Sequence, residues 1–168
     1  MDEIFNKPVE KKRINLPLIG GAILGLVIIG VAIWLMSFRP SIEEQTARIL
    51  ADAYLEGTPQ FADLNKDIII STDDNTVQSP MGTGKISMFI HGKIHNRGSH
   101  RITILEVNVA VVTQFNDVLR ERKILVIPVQ QASLDPDQTI PITLTLDGFT
   151  KDDDRANIRW KVTAIHAE

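Results

Sequence analysis

Two histidines, His91 and His95, stand four positions apart, a spacing used by paired metal ligands on helices. On a helix both rings would share one face and reach one ion. On a strand the same four residues span about 13 Å, too far for both nitrogens to bind at about 2.1 Å. Because the surrounding residues alternate between apolar and polar types, we predict a strand with solvent-facing histidines. A site built from one of them and a distant group such as His100 is equally disfavoured.

Three consecutive carboxylates, Asp152–Asp154, are a second candidate, for a cation such as Ca²⁺. Calcium takes about six to eight oxygens, supplied from alternating positions around a turn that glycine permits. Adjacent carboxylates followed at once by Arg155 do not provide that geometry. We predict a solvated loop here, and also at Asp73 and Asp74.

A glycine-rich segment, Gly82-Thr83-Gly84-Lys85, partly matches a phosphate-binding loop. The full motif needs another glycine five positions before its second glycine, and a hydroxyl residue after the lysine. Ser79 and Ile86 occupy those places. No Gly-x-Ser-x-Gly elbow is present for nucleophilic catalysis, and Ser87 falls in a strand pattern. We therefore predict no catalytic residue, no metal, no cofactor and no enzyme activity.

The element that positions everything else is an apolar stretch at residues 16–38, which contains no charged side chain. A helix of this length crosses the roughly 30 Å hydrocarbon core of a bilayer. Lys11, Lys12 and Arg13 precede the stretch, whereas Arg39 is followed by two glutamates. The positive-inside rule then predicts a single-pass protein of the cell inner membrane, with a cytoplasmic N-terminus and a periplasmic or otherwise extracytoplasmic C-terminal domain.

A cleaved signal peptide is the main alternative for this stretch, but the apolar run is longer than is usual for one, and bulky residues from Trp34 to Phe38 stand where a peptidase needs small ones. We therefore predict an uncleaved anchor. Gly21 and Gly25 form a GxxxG pattern, at which a second membrane helix can pack closely. The pattern is common enough to occur by chance, so helix packing is a hypothesis here.

Bulk properties limit the remaining classes. The chain has 168 residues, a formal net charge of −3 and no cysteine. This excludes disulfides and thiolate chemistry, and it gives no electrostatic case for binding nucleic acid. We divide the chain into a cytoplasmic tail (1–15), a transmembrane helix (16–38), a helical linker (39–66) and one β-sandwich domain (67–168).

The linker shows helical periodicity. Ser41 with Glu44 forms a capping box at its start, and Gly57 supplies the glycine typical of a helix end. Leu50 and Tyr54 fall on the apolar side, so we predict one amphipathic helix up to Gly57. The segment from Thr58 to Asp67 has room for one more helical turn.

From Ile68 the period changes to two, which is typical of strands. Alternation is clear at residues 86–94, 105–111, 140–146 and 158–164, and Asn116 with Asp117 predicts a hairpin turn. Pro128 indicates a sheet edge or a bulge. The sequence therefore predicts an antiparallel immunoglobulin-like or fibronectin-like sandwich of six to seven strands. Its predicted core includes Val107, Val109, Leu144 and, as the largest member, Trp160.

The segment Ile90–Asn96, the strand Val107–Phe115, the Asn116-Asp117 turn and the turn Leu134–Gln138 together resemble FxLYD-type bacterial domains of unknown function. The N-terminal MDEIF and the following apolar stretch are similar to a DUF2393-like group with one N-terminal span. The resemblance covers roughly residues 85–166 and implies a membrane-anchored sandwich with no catalytic residue. This chain departs from the pattern at Asp137, where glycine is common, and at the Phe115-Asn-Asp turn.

Three functions remain open. The first is a membrane-tethered, non-enzymatic scaffold that contacts other envelope proteins. The second is an accessory single-span subunit of a larger membrane complex, packed through Gly21 and Gly25. The third is a domain that binds a ligand or the cell wall, which the low aromatic content of 5% disfavours. Exposed Phe89 and the edge near Pro128 are candidate places for strand addition.

Overall fold

The computed structural model describes residues 16–37 and 41–168, in two compact units split after Ser41. Helix α1 covers Leu16–Ser37 and contains Gly21 and Gly25. The predicted topology residues Lys11, Lys12 and Arg13 lie outside the described residues, as do positions 38–40. Among the residues described with their side chains, no helix is long and apolar enough to cross a membrane. The membrane span therefore stays a prediction.

The linker contains more elements than its periodicity predicted. Helix α2 covers Ile42–Leu50, strand β1 covers Tyr54–Leu55 and helix α3 covers Pro59–Asn65. The prediction of one helix up to Gly57 is wrong beyond Leu50, because Tyr54 and Leu55 pair with the last strand of the chain. The further helical turn is confirmed as α3, where the Thr58 hydroxyl accepts from the Phe61 N–H at 3.3 Å and caps the helix.

One sheet, the β4 sheet, is built around a long central strand. It contains β2 (Ile68–Thr72), β3 (Val77–Pro80), β4 (Ile86–Asn96) and β7 (Thr139–Phe149). β2 pairs with the C-terminal half of β4 and β3 with its N-terminal half, while β7 pairs along the other side. All these pairings are antiparallel. One edge of the sheet is formed by the two short strands β2 and β3, and the other edge by the continuous strand β7.

The second sheet, the β5 sheet, has the strand order β1-β8-β5-β6. Strand β5 covers Ile102–Val112, β6 covers Val118–Ile127 and β8 covers Asn157–Ala167. The predicted hairpin is confirmed, with the Thr113 N–H donating to the Asp117 carbonyl at 2.9 Å. Asn116 adopts a φ of 68° there, a conformation that asparagine tolerates. Strand β6 lies at the sheet edge, as Pro128 predicted.

The two sheets enclose one shared core. Alternate residues of β4 and β7 are buried, as predicted, whereas β5 is buried on both faces except at Thr103 and Asn108. The largest fully buried side chain is that of Phe149. The fold is therefore mainly β, with eight strands in two antiparallel sheets within residues 41–168. The sequence predicted six to seven strands. The structure has eight because the first edge strand is interrupted, giving β2 and β3, and because the linker contains β1.

The last strand departs from regular alternation at Thr163. Val107 stands opposite Val162, while the preceding Glu106 stands opposite Ala164, so Thr163 is an extra residue that forms a β-bulge. After the bulge, Ile165 joins the core cluster in the phase that simple alternation assigned to Ala164. Ala164 is also fully buried, but it stands opposite Glu106, so the even positions of β8 share one face only up to Val162. Trp160 is partly buried at the margin of the core, so its predicted place as the largest core member is wrong.

A buried asparagine organises the loops at one end of the sandwich. Asn96 is 1% exposed, and its side-chain NH₂ donates to the carbonyls of His100, Leu134 and Asp135 at 2.8 to 3.2 Å. Its side-chain oxygen accepts from the Gly98 N–H at 2.9 Å. The residue therefore joins the β4–β5 connection to the turn that precedes β7.

Candidate interaction edge

Two packed sheets have two lateral edges, and in this domain the two edges differ in how their backbone groups are paired. On one side, β6 of the β5 sheet lies beside β7 of the β4 sheet. On the other side, β8 lies near β2, joined by the Trp160–Thr72 hydrogen bond. An edge strand presents unpaired backbone groups that can recruit another strand. We call the first side the closed edge and the second the open edge, for the reasons that follow.

Long side chains protect the backbone of β7 at the closed edge. Arg120 donates to the Gly148 carbonyl at 3.1 Å and Arg122 to the Thr145 carbonyl at 3.4 Å. The side-chain amide of Gln130 donates to the Thr143 carbonyl at 3.0 Å and accepts from the Thr143 N–H at 3.2 Å. These bonds occupy the groups that an incoming strand would need.

The open edge has only a short strand partner. Tyr54 and Leu55 of β1 pair with Ile165 and Ala164, and the Glu56 N–H then donates to the Thr163 carbonyl at 3.4 Å. Beyond this point, residues 157–162 of β8 pair with no strand on that side among the described residues. Every second residue of an edge strand directs its N–H and C=O outward. The first part of β8 therefore offers a row of backbone groups with no strand partner among the described residues, in which the Ile158 N–H donates to the Asn157 side-chain oxygen at 2.8 Å.

A groove of about 250 Å³ lies beside this row. Four of its six lining residues are apolar, namely Ile68, Ile70, Trp160 and Val162, while Asn65 and Lys161 make much of its exposed surface polar. The alternation of β8 explains why apolar residues line the groove. Trp160 and Val162 are on the side of β8 that faces the other sheet, and because β8 lies near the sheet edge they border the groove.

The indole of Trp160 closes the groove at one end. Its Nε1–H donates to the Thr72 hydroxyl at 2.8 Å, which links β8 to β2 across the two sheets. The ring lies over Gly92 of β4, where a Cβ would come within 2.9 Å of the Trp160 ring and 2.8 Å of the Ser71 carbonyl oxygen. Glycine is therefore required here by close approach. Of the predicted core residues, Val107, Val109 and Leu144 are buried and only Trp160 reaches this edge.

The outward face of the open edge carries two cationic side chains, one of which has an acidic partner. Arg159 and Lys161 alternate with Trp160 and stand opposite Ala110 and Asn108 on the outer side of the β5 sheet. Lys161 forms an ion pair with Glu56 at 2.8 Å, and both side chains are more than half exposed. An ion pair this exposed contributes little to stability, roughly 0 to 1 kcal/mol. The pair nevertheless shows that a carboxylate on the chain beside β8, that of Glu56 directly after β1, reaches Lys161.

The predicted histidine positions fall on the outer face of the β4 sheet. His91 and His95 are partly exposed, and His95 Nδ1 lies 2.9 Å from the Thr139 hydroxyl. Phe89 shares this face and is 40% exposed. Within the described residues, no group of three metal-ligating side chains comes together.

The acidic loops accept hydrogen bonds from their own backbone. In the β7–β8 turn, the Thr150 N–H donates to Asp153 at 2.6 Å and the Gln114 N–H donates to Asp154 at 3.1 Å. The Thr150 backbone bond is the main cause that lowers the pKa of Asp153 below its ordinary 3.8. At Asp73, the Asn75 backbone bond and then Lys93 lower the pKa in the same way. These carboxylates stabilise turns.

The phosphate-loop-like segment and Ser87 also have structural roles. Residues 82–85 form the turn between β3 and β4, where Gly84 has a φ of 78°. The Ser87 hydroxyl, at a bulge in β4, donates to the Asp147 carboxylate. Gly21 and Gly25 lie in α1, and a Cβ on either would meet no described atom within 4 Å.

Sequence reasoning placed strand addition at Phe89 and at the edge near Pro128, and did not find the open edge. Which strands lie at an edge depends on the pairing order, which alternation alone does not reveal. One signal was present: Arg159-Trp160-Lys161 brings two cations and an indole together, which suits an edge better than the centre of a core.

The structure thus defines a mainly β domain of two antiparallel sheets. No family model and no curated protein matches the chain. Among solved structures, it is similar to the putative ApaA protein from Bordetella pertussis, at 21% identity over 48% of this chain and 67% of that chain, with a TM-score of 0.36. The trimeric lipoprotein SadB of Salmonella enterica gives 18% identity over 89% of this chain and 78% of that chain, with a TM-score of 0.34.

A structural genomics target gives 10% identity over 62% of this chain and 86% of that chain, with a TM-score of 0.41. All three scores lie below 0.5, so these likenesses assign neither a family nor a function to the chain.

Proposed function

We propose that the chain is a membrane-tethered, non-enzymatic interaction module. The uncharged stretch at residues 16–38 anchors it, with Lys11, Lys12 and Arg13 on the cytoplasmic side and residues 42–168 on the other side. Other envelope or membrane proteins are its partners, and the anchor contacts the lipid bilayer. The proposal needs no catalytic residue, cofactor or metal.

The observation that supports this proposal best is the contrast between the two edges. Arg120, Arg122 and Gln130 occupy backbone groups of β7 at one edge, while the first part of β8 pairs with no further strand among the described residues and lies beside a groove with four apolar lining residues. A protein that protects one edge with three side chains and leaves the other available has a place for a partner.

The strand order supports part of the finer fold proposal, an immunoglobulin-like or fibronectin-like sandwich. In the seven-strand immunoglobulin fold, one sheet contains the first, second, fourth and fifth strands, and the other contains the third, sixth and seventh. The present chain differs in its fourth strand, β6, which pairs with β5 in the other sheet. Here β2 with β3 takes the first place, β4 the second and β7 the fifth. The two-residue strand β1 takes part of the seventh place, beside β8. The open edge is then an incompletely filled seventh position.

Two treatments of membrane vesicles test the anchor and its orientation. Alkaline carbonate should leave the full chain in the pellet. A protease added to the cytoplasmic side should leave residues 42–168 intact, and one added to the opposite side should digest them unless the domain resists. Release by carbonate, or digestion from the cytoplasmic side, would contradict the anchored topology.

A crosslinking experiment tests the interaction role. The full chain, crosslinked in intact membranes and purified in mild detergent, should retain a defined protein in fixed proportion. Repeated recovery of the chain alone after crosslinking would argue strongly against an interaction module.

The small-residue face of α1 favours a second candidate, an accessory subunit held through its helix. Gly21 and Gly25 lie one turn apart on α1, and close approach of another helix there gains packing energy. Replacing both with leucine should release the chain from its complex, whereas Gly30→Leu is a matched control elsewhere on the helix. Unchanged co-purification of the double variant would remove this candidate.

We also propose that the chain is related to the FxLYD-type and DUF2393-like domains. The support is the position of Asn96, which ends β4 and holds the Leu134 turn, as the shared motifs imply. An experimental structure of residues 85–166 that superposes poorly on an FxLYD-type domain would contradict the relationship.

A further inference from the structure

We propose that the open edge binds an extended, acidic peptide segment of another protein, which adds to β8 as an antiparallel strand. The inference rests on the proposed interaction role and names the partner chemistry and the position of contact. The strand would continue the line of β1, alongside residues 157–162 of β8.

The backbone supplies the first part of the argument. β1 shows that this side of β8 accepts a strand in antiparallel register, at Ile165 and Ala164. The hydrogen bond from the Glu56 N–H to the Thr163 carbonyl extends the pairing by one step before the chain turns away at Gly57, where φ is 95°. An incoming strand needs the same geometry over the next residues of β8. Among the described residues no strand pairs with them on that side, although the Ile158 N–H donates to the Asn157 side-chain oxygen at 2.8 Å.

The groove sets the inward side chains of the partner. Alternate residues of an added strand would face Ile68, Ile70 and Val162, which line a space of about 250 Å³. A volume of this size accepts one or two aliphatic side chains, whose burial against these residues is favourable. Inward positions of the partner are therefore apolar.

Charge sets the outward side chains. The residues between the inward positions would stand opposite Arg159 and Lys161, so carboxylates at those positions are favoured. Glu56 already shows this pairing, at 2.8 Å from Lys161. The same charges oppose a second copy of this chain, because antiparallel pairing of two β8 edges would bring Arg159 and Lys161 of both copies together. The occupant is therefore a different, acidic chain.

Binding of designed peptides to the full chain in detergent tests this inference. The probe is a capped seven-residue peptide in which valine alternates with glutamate, compared with the same peptide carrying lysine. We expect the glutamate peptide to bind at least about tenfold more tightly, and to slow amide exchange at residues 157–162 by a similar factor. A glutamate peptide with methylated backbone nitrogens should lose this binding.

Charge reversal supplies the matched variants. Arg159→Glu should abolish the preference for the glutamate peptide, and Arg159→Glu with Lys161→Glu should reverse it. Lys85→Glu, which makes the same charge change in an exposed turn of the other sheet, should leave the preference unchanged. Equal binding of both peptides, protection elsewhere than residues 157–162, or self-association of the free chain that Arg159→Glu alters would each overturn the inference.

Crosslinking separates this inference from the proposed function. If a membrane partner is retained by the native chain and equally by the double charge reversal, the interaction role stands and the edge assignment falls. If the peptides bind at the open edge as expected but no partner is ever crosslinked, the proposed function is the part that fails.

Discussion

Replacing Gly92 by alanine is the sharpest test of how the open edge is built. The new Cβ would lie 2.8 Å from the Ser71 carbonyl oxygen and 2.9 Å from Cζ2 of Trp160. Both distances are shorter than atoms tolerate, and neither neighbour can give way easily. One is the backbone of β2, and the other is a rigid ring held by its bond to Thr72. Alanine therefore forces β2 away from β4, or the indole out of the groove.

The expected destabilisation follows from three contributions. Overpacking of a close contact costs about 1 to 3 kcal/mol. Loss of the Trp160–Thr72 hydrogen bond adds about 0.5 to 1.5 kcal/mol. Replacing glycine by alanine returns about 0.4 to 1 kcal/mol, because the unfolded chain has less freedom to lose. The net decrease in the free energy of unfolding is thus about 2 kcal/mol. Gly82 has open space around it, so Gly82→Ala should lie within about 0.5 kcal/mol of the native chain.

Tryptophan fluorescence provides the assay. The sequence has two tryptophans, Trp34 and Trp160, so Trp34→Phe leaves Trp160 as the single reporter in the full chain. Urea unfolding in mild detergent should give a lower midpoint for Gly92→Ala with an unchanged slope, and a red-shifted native emission as the indole becomes hydrated. If Gly92→Ala matches Gly82→Ala in both midpoint and emission, the described packing of Trp160 on β4 is wrong.

Three further predictions concern the loops and the closed edge. Asn96→Ala should lower the free energy of unfolding by about 3 kcal/mol in urea titrations, and Asn96→Asp by more, because a carboxylate would face three carbonyl oxygens. The lowered pKa of Asp153 stabilises the folded chain above its ordinary pKa of 3.8, and this contribution is lost as the pH falls further. Asp153→Asn should therefore flatten the acid limb of a stability-against-pH curve, and an acid limb unchanged by this substitution would contradict the contribution. Arg122→Ala exposes the β7 edge, so sedimentation should show more self-association than for Lys123→Ala, and equal behaviour would contradict the protective role.

Alternation in the sequence was sufficient for the main strands because most of them have one buried face. Ile90, Val109 and Ile142 each lie in a run of period two, and each is fully buried. The same reasoning failed for Tyr54, whose helical spacing is outweighed by a pairing with Ile165 more than a hundred positions away. Local propensity cannot register a partner at that distance. The bulge at Thr163 was missed for a similar reason, since the extra residue is defined only by what stands opposite.

The charged run at the start of β6 shows why the edges themselves were hidden. In the sequence, residues 120–123 are uniformly charged and predict a solvated face. In the structure, Arg120 and Arg122 are on the side of β6 that faces the other sheet, opposite Val111 and Val109. They are tolerated there because β6 is the last strand, so their guanidinium groups extend past the core to the carbonyls of β7.

Arg159 and Lys161 carry the same charge at the opposite side of the same sheet, yet they point outward, and Trp160 occupies the inward position between them. The two edges therefore differ in the face of the strand that carries the cations. On β6 the arginines face inward and bond to the backbone of β7. On β8 the cations face outward, so they leave the strand backbone available and favour an acidic partner. A one-residue shift of β8 would exchange these roles, which is why strand register, and not composition, determines where this domain can bind.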